Sequence, residues 1–147
     1  MASFRSIPPC SRYAQEASRK VEQIMSTTTA EIFEKRELME KLKFELAFVA
    51  DGGYGRSVRT PNKPTSAFQD SPTCLNFGDP SRTHPCAECI LMQYVPESRK
   101  GEDVPCHHIP LDRESRTIAT LDATESQDAL KGWLRHEIGR LEGELVV

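Results

Sequence analysis

Along "TTAEIFEKRELMEKLKFELAFVADGG" the apolar residues Ile32, Met39, Leu42, Leu46 and Val49 fall on one helical stripe, with charged residues between them. Thr28 stands three residues before Glu31, the spacing of a capping box, and Gly52 and Gly53 supply a left-handed stop. Leu42, Phe44, Leu46 and Phe48 also alternate as a strand would. No breaker divides the segment, so one long helix ending near Val49 is expected. A second stripe closes the chain, where Leu130, Leu134, Ile138, Leu141 and Leu145 recur every three or four residues. That pattern predicts a C-terminal amphipathic helix with a narrow apolar seam, and Thr124 with Gln127 as its cap. Gly132, Gly139 and Gly143 each weaken such a helix by about 1 kcal/mol relative to alanine. Packing must therefore hold it, within the chain or in a homodimer through this helix.

The stretch between the two helices reads differently. From Gly52 to Pro85 turn signals repeat without periodicity, and so long a connection needs something to tie it down. "CILMQYV" (89–95) reads as a short buried strand. "HHIPL" and "RTIATL" flank the polar "DRES" and suggest a hairpin from His107 to Leu121, with Pro110 confining its first half to an edge. The expected fold class is α+β: an N-terminal helix, a cysteine-rich loop region with a small antiparallel sheet, and a C-terminal amphipathic helix.

Composition narrows the function classes. A chain of 147 residues suits one domain, and 37% hydrophobic content with 10 prolines implies a modest core. A bound metal contributes most to folding in such a chain. The net charge of −3 argues against bulk attraction to nucleic acid or to an anionic membrane. No apolar run approaches the roughly 20 residues that span a bilayer, and the first residues lack the apolar stretch of a secretory signal. A cytoplasmic location is expected. In a reducing compartment, clustered cysteines point to metal or catalysis rather than to disulfides.

Four of those cysteines follow the spacing Cys74-x11-Cys86-x2-Cys89-x16-Cys106-His107-His108. Two thiolates separated by two residues can reach one tetrahedral ion at about 2.3 Å from a single turn, and a further set some 15–20 residues on completes four ligands. The expected metal ligands are Cys74, Cys86, Cys89 and Cys106, with His108 as the main alternate and His107 as a lesser one. Zinc is the expected ion, ahead of an iron–sulfur cluster. Ordinary burial of small apolar cysteines is the competing explanation. It fits poorly with "PCAEC" and "PCHH", which lie in polar, proline-bounded loops.

Three enzyme signatures fail on the text. A zinc deaminase needs His-x-Glu or Cys-x-Glu upstream of "PCAEC", and neither precedes residue 85. Covalent haem attachment needs a histidine where Ile90 stands. A thioredoxin-like dithiol should follow a strand and open a helix, whereas "DPSRTH" precedes this pair.

Residues 1–25 are polar and carry Pro8 and Pro9, so they are expected to be disordered apart from a weak helix over 13–25. Met25 is an alternative start. Residues 26–147 then form a single small zinc-binding domain. The glycine–arginine loop "DGGYGRSVRTPNKP" carries Arg56, Arg59 and Lys63 beside Tyr54, and is the candidate contact for a nucleic-acid partner through residues 52–64. The signal is weak, and a helix stop followed by a solvated loop is the preferred explanation. The expected function is a zinc-binding module with a structural metal that engages a protein partner. The alternatives are a metal-dependent enzyme with an open zinc and a nucleic-acid-binding regulator.

Overall fold

The structure is a computed structural model that describes residues 11–52, 67–69, 71 and 73–146. The order of elements is α1 (Ser11–Ala50), 3-10 turns at Cys86–Glu88, Ile90–Tyr94, Glu97–Arg99 and Pro105–His108, and α2 (Ala123–Leu145). The chain divides into two compact units, Met1–Lys35 and Arg36–Val147, and α1 contributes to both. In the first unit, Ile32 is 41% and Phe33 67% exposed. Thr28 lies inside α1, so the expected capping box does not start the helix.

The second unit holds the core. Leu38, Leu42, Glu45 and Val49 bury one face of α1, while Met39 and Leu46 sit half-buried at its flank. Of the stripe read in the sequence, Leu42 and Val49 are buried, Met39 and Leu46 yield to Leu38 and Glu45 one position earlier, and Ile32 is exposed. Glu37 and Lys41 pair at 2.9 Å on the solvent side. Gly52 ends the helix with φ 75°, and its N–H donates to the Val49 carbonyl at 3.1 Å.

On α2, Leu130, Trp133, Leu134, Ile138 and Leu141 are buried in the same cluster as the α1 residues. The face on which self-association was expected to rest is therefore covered within the chain. Lys43 of α1 reaches Glu142 of α2 at 2.9 Å. The N-cap of α2 is Asp122, whose carboxylate accepts from Thr124 N–H at 2.9 Å and from Glu125 N–H at 2.8 Å. Asp122 takes the place expected for Thr124, because a carboxylate two residues earlier satisfies two free N–H groups at once.

The α+β expectation is overturned: among the described residues there is no strand and no sheet. The apolar run 89–95 winds as a 3-10 turn that buries Leu91 and Val95, four residues apart, and leaves Gln93 exposed. A run this short carries no periodicity able to separate strand from helix. The "DRES" turn does form, since Leu111 N–H donates to the Arg116 carbonyl at 2.9 Å and Asp112 accepts from Arg116 N–H at 3.0 Å. One further bond crosses between the two arms, from Ala119 N–H to the His107 carbonyl at 3.2 Å, but no strand ladder forms among the described residues. Pro110 has no N–H to offer, and residues 117–120 close into a turn of their own in which Thr120 N–H donates to the Thr117 carbonyl at 3.0 Å. Among the described residues, no helix is long and apolar enough to cross a membrane.

Candidate metal centre

Each of the four cysteines opens a tight turn. The carbonyl of Cys74 accepts from Phe77 N–H (3.1 Å), that of Cys86 from Cys89 (3.0 Å), that of Cys89 from Met92 (3.0 Å) and that of Cys106 from Ile109 (3.4 Å). In a 3-10 turn the side chains at i and i+3 eclipse, which sets Cys86 and Cys89 on one side. Pro85 precedes the first of these turns with φ −66°, and Pro105 opens the last one, where its missing N–H leaves no bond unmade.

The Cys74 turn is held beside the Cys86 turn by Asn76. Its Nδ2 donates to the His84 carbonyl at 2.8 Å, and its Oδ1 accepts from His84 N–H at 2.9 Å. One buried amide side chain thus makes the paired bonds a neighbouring strand would have made. On the α1 side, fully buried Glu45 accepts from Thr73 Oγ1 at 2.7 Å. The Thr73 and Ser71 hydroxyls share a short hydrogen bond, and Ser71 Oγ donates to the Phe68 carbonyl at 3.2 Å. Phe68 adopts φ 63°, an uncommon conformation for a bulky residue, and its ring meets Trp133 edge-on with centroids 6.1 Å apart.

Cys74, Cys86, Cys89 and Cys106 line a single cavity of about 30 Å³. All four are free thiols and half-buried. Burial pushes the Cys89 thiol above its ordinary value; Leu91 N–H pulls the other way, Cys74 and Cys86 raise it further, and the Lys41 ammonium lowers it. Cys106 is pushed up to about 12, first by burial and then by Cys89, Cys74 and Cys86. Every added thiolate in this cavity opposes the next. A divalent cation inverts that relation, because its charge favours deprotonated sulfur. Raised pKa values are the opposite of what a nucleophilic or redox-active thiol needs, so reactive-cysteine chemistry finds no support at Cys89 or Cys106.

Of the five ligands expected from the sequence, the four cysteines share the cavity and His108 does not line it. His108 instead lies within electrostatic reach of the Glu102 carboxylate, which is held below the usual range chiefly by its hydrogen bond from Arg99 and only lastly by His108. His107 donates from Nε2 to the Ala67 carbonyl at 2.9 Å, a structural tie between loops. Among the described residues, no group of three or more His, Cys, Asp or Glu side chains is arranged to hold a metal ion. The sulfurs share a cavity without adopting ligand geometry. The glycine–arginine loop beyond Gly52, with Tyr54, Arg56, Arg59 and Lys63, lies outside the described residues.

Sequence reasoning missed Asn76, Glu45 and Thr73. Asn76 in "CLNFGDP" reads as one more turn residue, and Glu45 reads as one more charge on a helix. No family model, no curated protein and no solved structure matches the chain.

Proposed function

We propose that the protein is a small zinc-binding module of a reducing, cytoplasmic environment, with a structural ion held by Cys74, Cys86, Cys89 and Cys106, and that it serves to engage another macromolecule. The observation that carries this reading is the single cavity shared by four free cysteines that come from three separate stretches of chain. Its volume, about 30 Å³, suits one ion better than a cluster of several iron and sulfur atoms. In this reading the side chains rotate onto the ion during loading while the turns stay in place. Four thiolates leave no open position for substrate or activated water, which is the mark of a structural zinc. Among the described residues the cavity wall carries no histidine and no carboxylate, so the open-zinc enzyme lacks a proton-transfer group.

Metal analysis of protein purified under reducing conditions tests the proposal. Wild type is expected to carry about one zinc per chain, His108→Ala to keep it and Cys86→Ser to lose it. Chelation is expected to remove much of the circular dichroism signal from the second unit. Protein that is metal-free and fully folded would overturn the reading.

A further inference from the structure

The Cys74 turn exposes apolar side chains on a tightly braced backbone. Leu75 is 38% and Phe77 55% exposed. Between them, Asn76 is locked to His84, and Gly78 takes φ 75°. Asp79 then ties down the following turn by accepting from Ser81 N–H (2.9 Å), Thr83 N–H (3.0 Å) and Thr83 Oγ1 (2.7 Å). An apolar pair held this rigidly loses little entropy on meeting a partner. Leu75 lines the cysteine cavity, while Phe77 borders a groove of about 450 Å³ lined also by Gly78, Asp79, Pro80 and Arg82 with Gln69 and Asn76. That volume lies within the range of ordinary binding sites, about 300–1,000 Å³.

Arg82 sets the chemistry. Its backbone is held at φ 48° by the bond from its N–H to the Asp79 carbonyl at 3.2 Å. Its guanidinium has no carboxylate partner among the described residues, since Asp79 is engaged by Ser81 and Thr83. Aromatic and arginine side chains at the centre of a concave patch are the residues that carry most interface energy.

We propose that this groove docks a protein segment that places an apolar side chain on Phe77 and a carboxylate on Arg82. The proposal rests on the interaction-module reading above and names the face and the partner chemistry. The exposed Phe77 ring favours an aliphatic or aromatic side chain, and the guanidinium fork favours a carboxylate bound through two N–H groups. A polyphosphate chain, which carries several charges, fits less well than a single carboxylate, because Arg82 is the one cation among the described residues that line the groove and the protein carries a net charge of −3.

The test uses the full-length protein as purified, followed by backbone amide NMR. The probes are a defined panel of tetrapeptides pairing Leu, Ile, Phe or Trp with Asp or Glu in either order, and oligothymidylate. At least one acidic peptide is expected to shift the amides of residues 75–82. Replacing its carboxylate by an amide, or the protein's Phe77→Ser or Arg82→Glu, is expected to weaken binding about tenfold. Arg82→Glu should recover binding when the peptide's acid is exchanged for lysine. No shift from any peptide at millimolar concentration overturns the proposal, as does binding indifferent to Arg82→Glu. Shifts produced by oligothymidylate alone overturn it in favour of a nucleic acid. Zinc content, measured on the same samples, keeps the two ideas separate. Loaded protein that binds no peptide sinks only the docking face, and metal-free protein that binds peptide sinks only the zinc.

Discussion

Asn76 uses both ends of its amide on the backbone of His84, and nothing else among the described residues joins those two turns so directly. Asn76→Ala removes two hydrogen bonds and leaves the His84 N–H and carbonyl to find new partners, at a cost of about 2–3 kcal/mol. Denaturant unfolding of the variant beside wild type measures that loss, and Asn76→Asp should fall between the two because it keeps only the acceptor. Asp79 gives a pH signature. Its bonds from Thr83 and Ser81 hold the carboxyl below the ordinary 3.8. A depressed folded pKa means that the contribution is present above about pH 4 and is lost as pH falls through the folded value. Hydrogen-exchange protection at Ser81 and Thr83 should therefore decline on acidification below about pH 4, and Asp79→Asn should flatten the dependence. Thiol spacing is a local signal, and the four cysteines it singled out line one cavity, although no group of three or more among the described residues is arranged to hold a metal. Asn76 and Glu45 were not legible. Their roles depend on His84, eight residues on from Asn76, and on Thr73, twenty-eight residues on from Glu45, and no periodicity marks such partners.

Among the described residues α1 starts at Ser11 rather than near Thr28 and buries a face only from Leu38 on, and the C-terminal stripe gains Trp133 and Glu137 while Leu145 is only half-buried. The buried parts of the two α-helices could nonetheless be read from apolar spacing. The segment between them could not. Its order comes from side chain-to-backbone bonds at Asp79, Asp112 and Thr120, and these look the same in sequence whether a turn leads into a strand or into another turn. The strand assignment at 89–95 failed for a related reason. Each cysteine carbonyl that accepts from the residue three positions on commits the chain to a 3-10 path before the apolar residues begin. On α2 the three glycines face open space, and a Cβ at Gly132, Gly139 or Gly143 meets nothing within 4 Å. Gly132→Ala and Gly139→Ala should each stabilise the protein by up to about 1 kcal/mol, and Gly143→Ala by less because it lies in the last turn. Thermal melts of the single and double variants check both the sign and the additivity.

At the scale of the second unit, one core joins residues 38–49 of α1, the Leu91 and Val95 turn, Ile109 and Leu111, and the buried face of α2. The cysteine cavity abuts this core through Leu91 and Phe68, residues that belong to both. That arrangement has an optical consequence. The chain has one tryptophan, and Trp133 stands edge-on to Tyr94 at 4.9 Å and to Phe68 at 6.1 Å. Tyr94 ends the turn that follows Cys89, and Phe68 forms part of the cavity wall. Indole emission is thus an intrinsic fluorescent gauge of whether the sulfurs are gathered. If the proposed zinc is bound, a chelator should red-shift and dim the spectrum in step with metal release, and adding zinc back should reverse both changes. A spectrum that stays constant while the metal departs would mean that the thiol cavity and the helical interior respond as mechanically separate bodies.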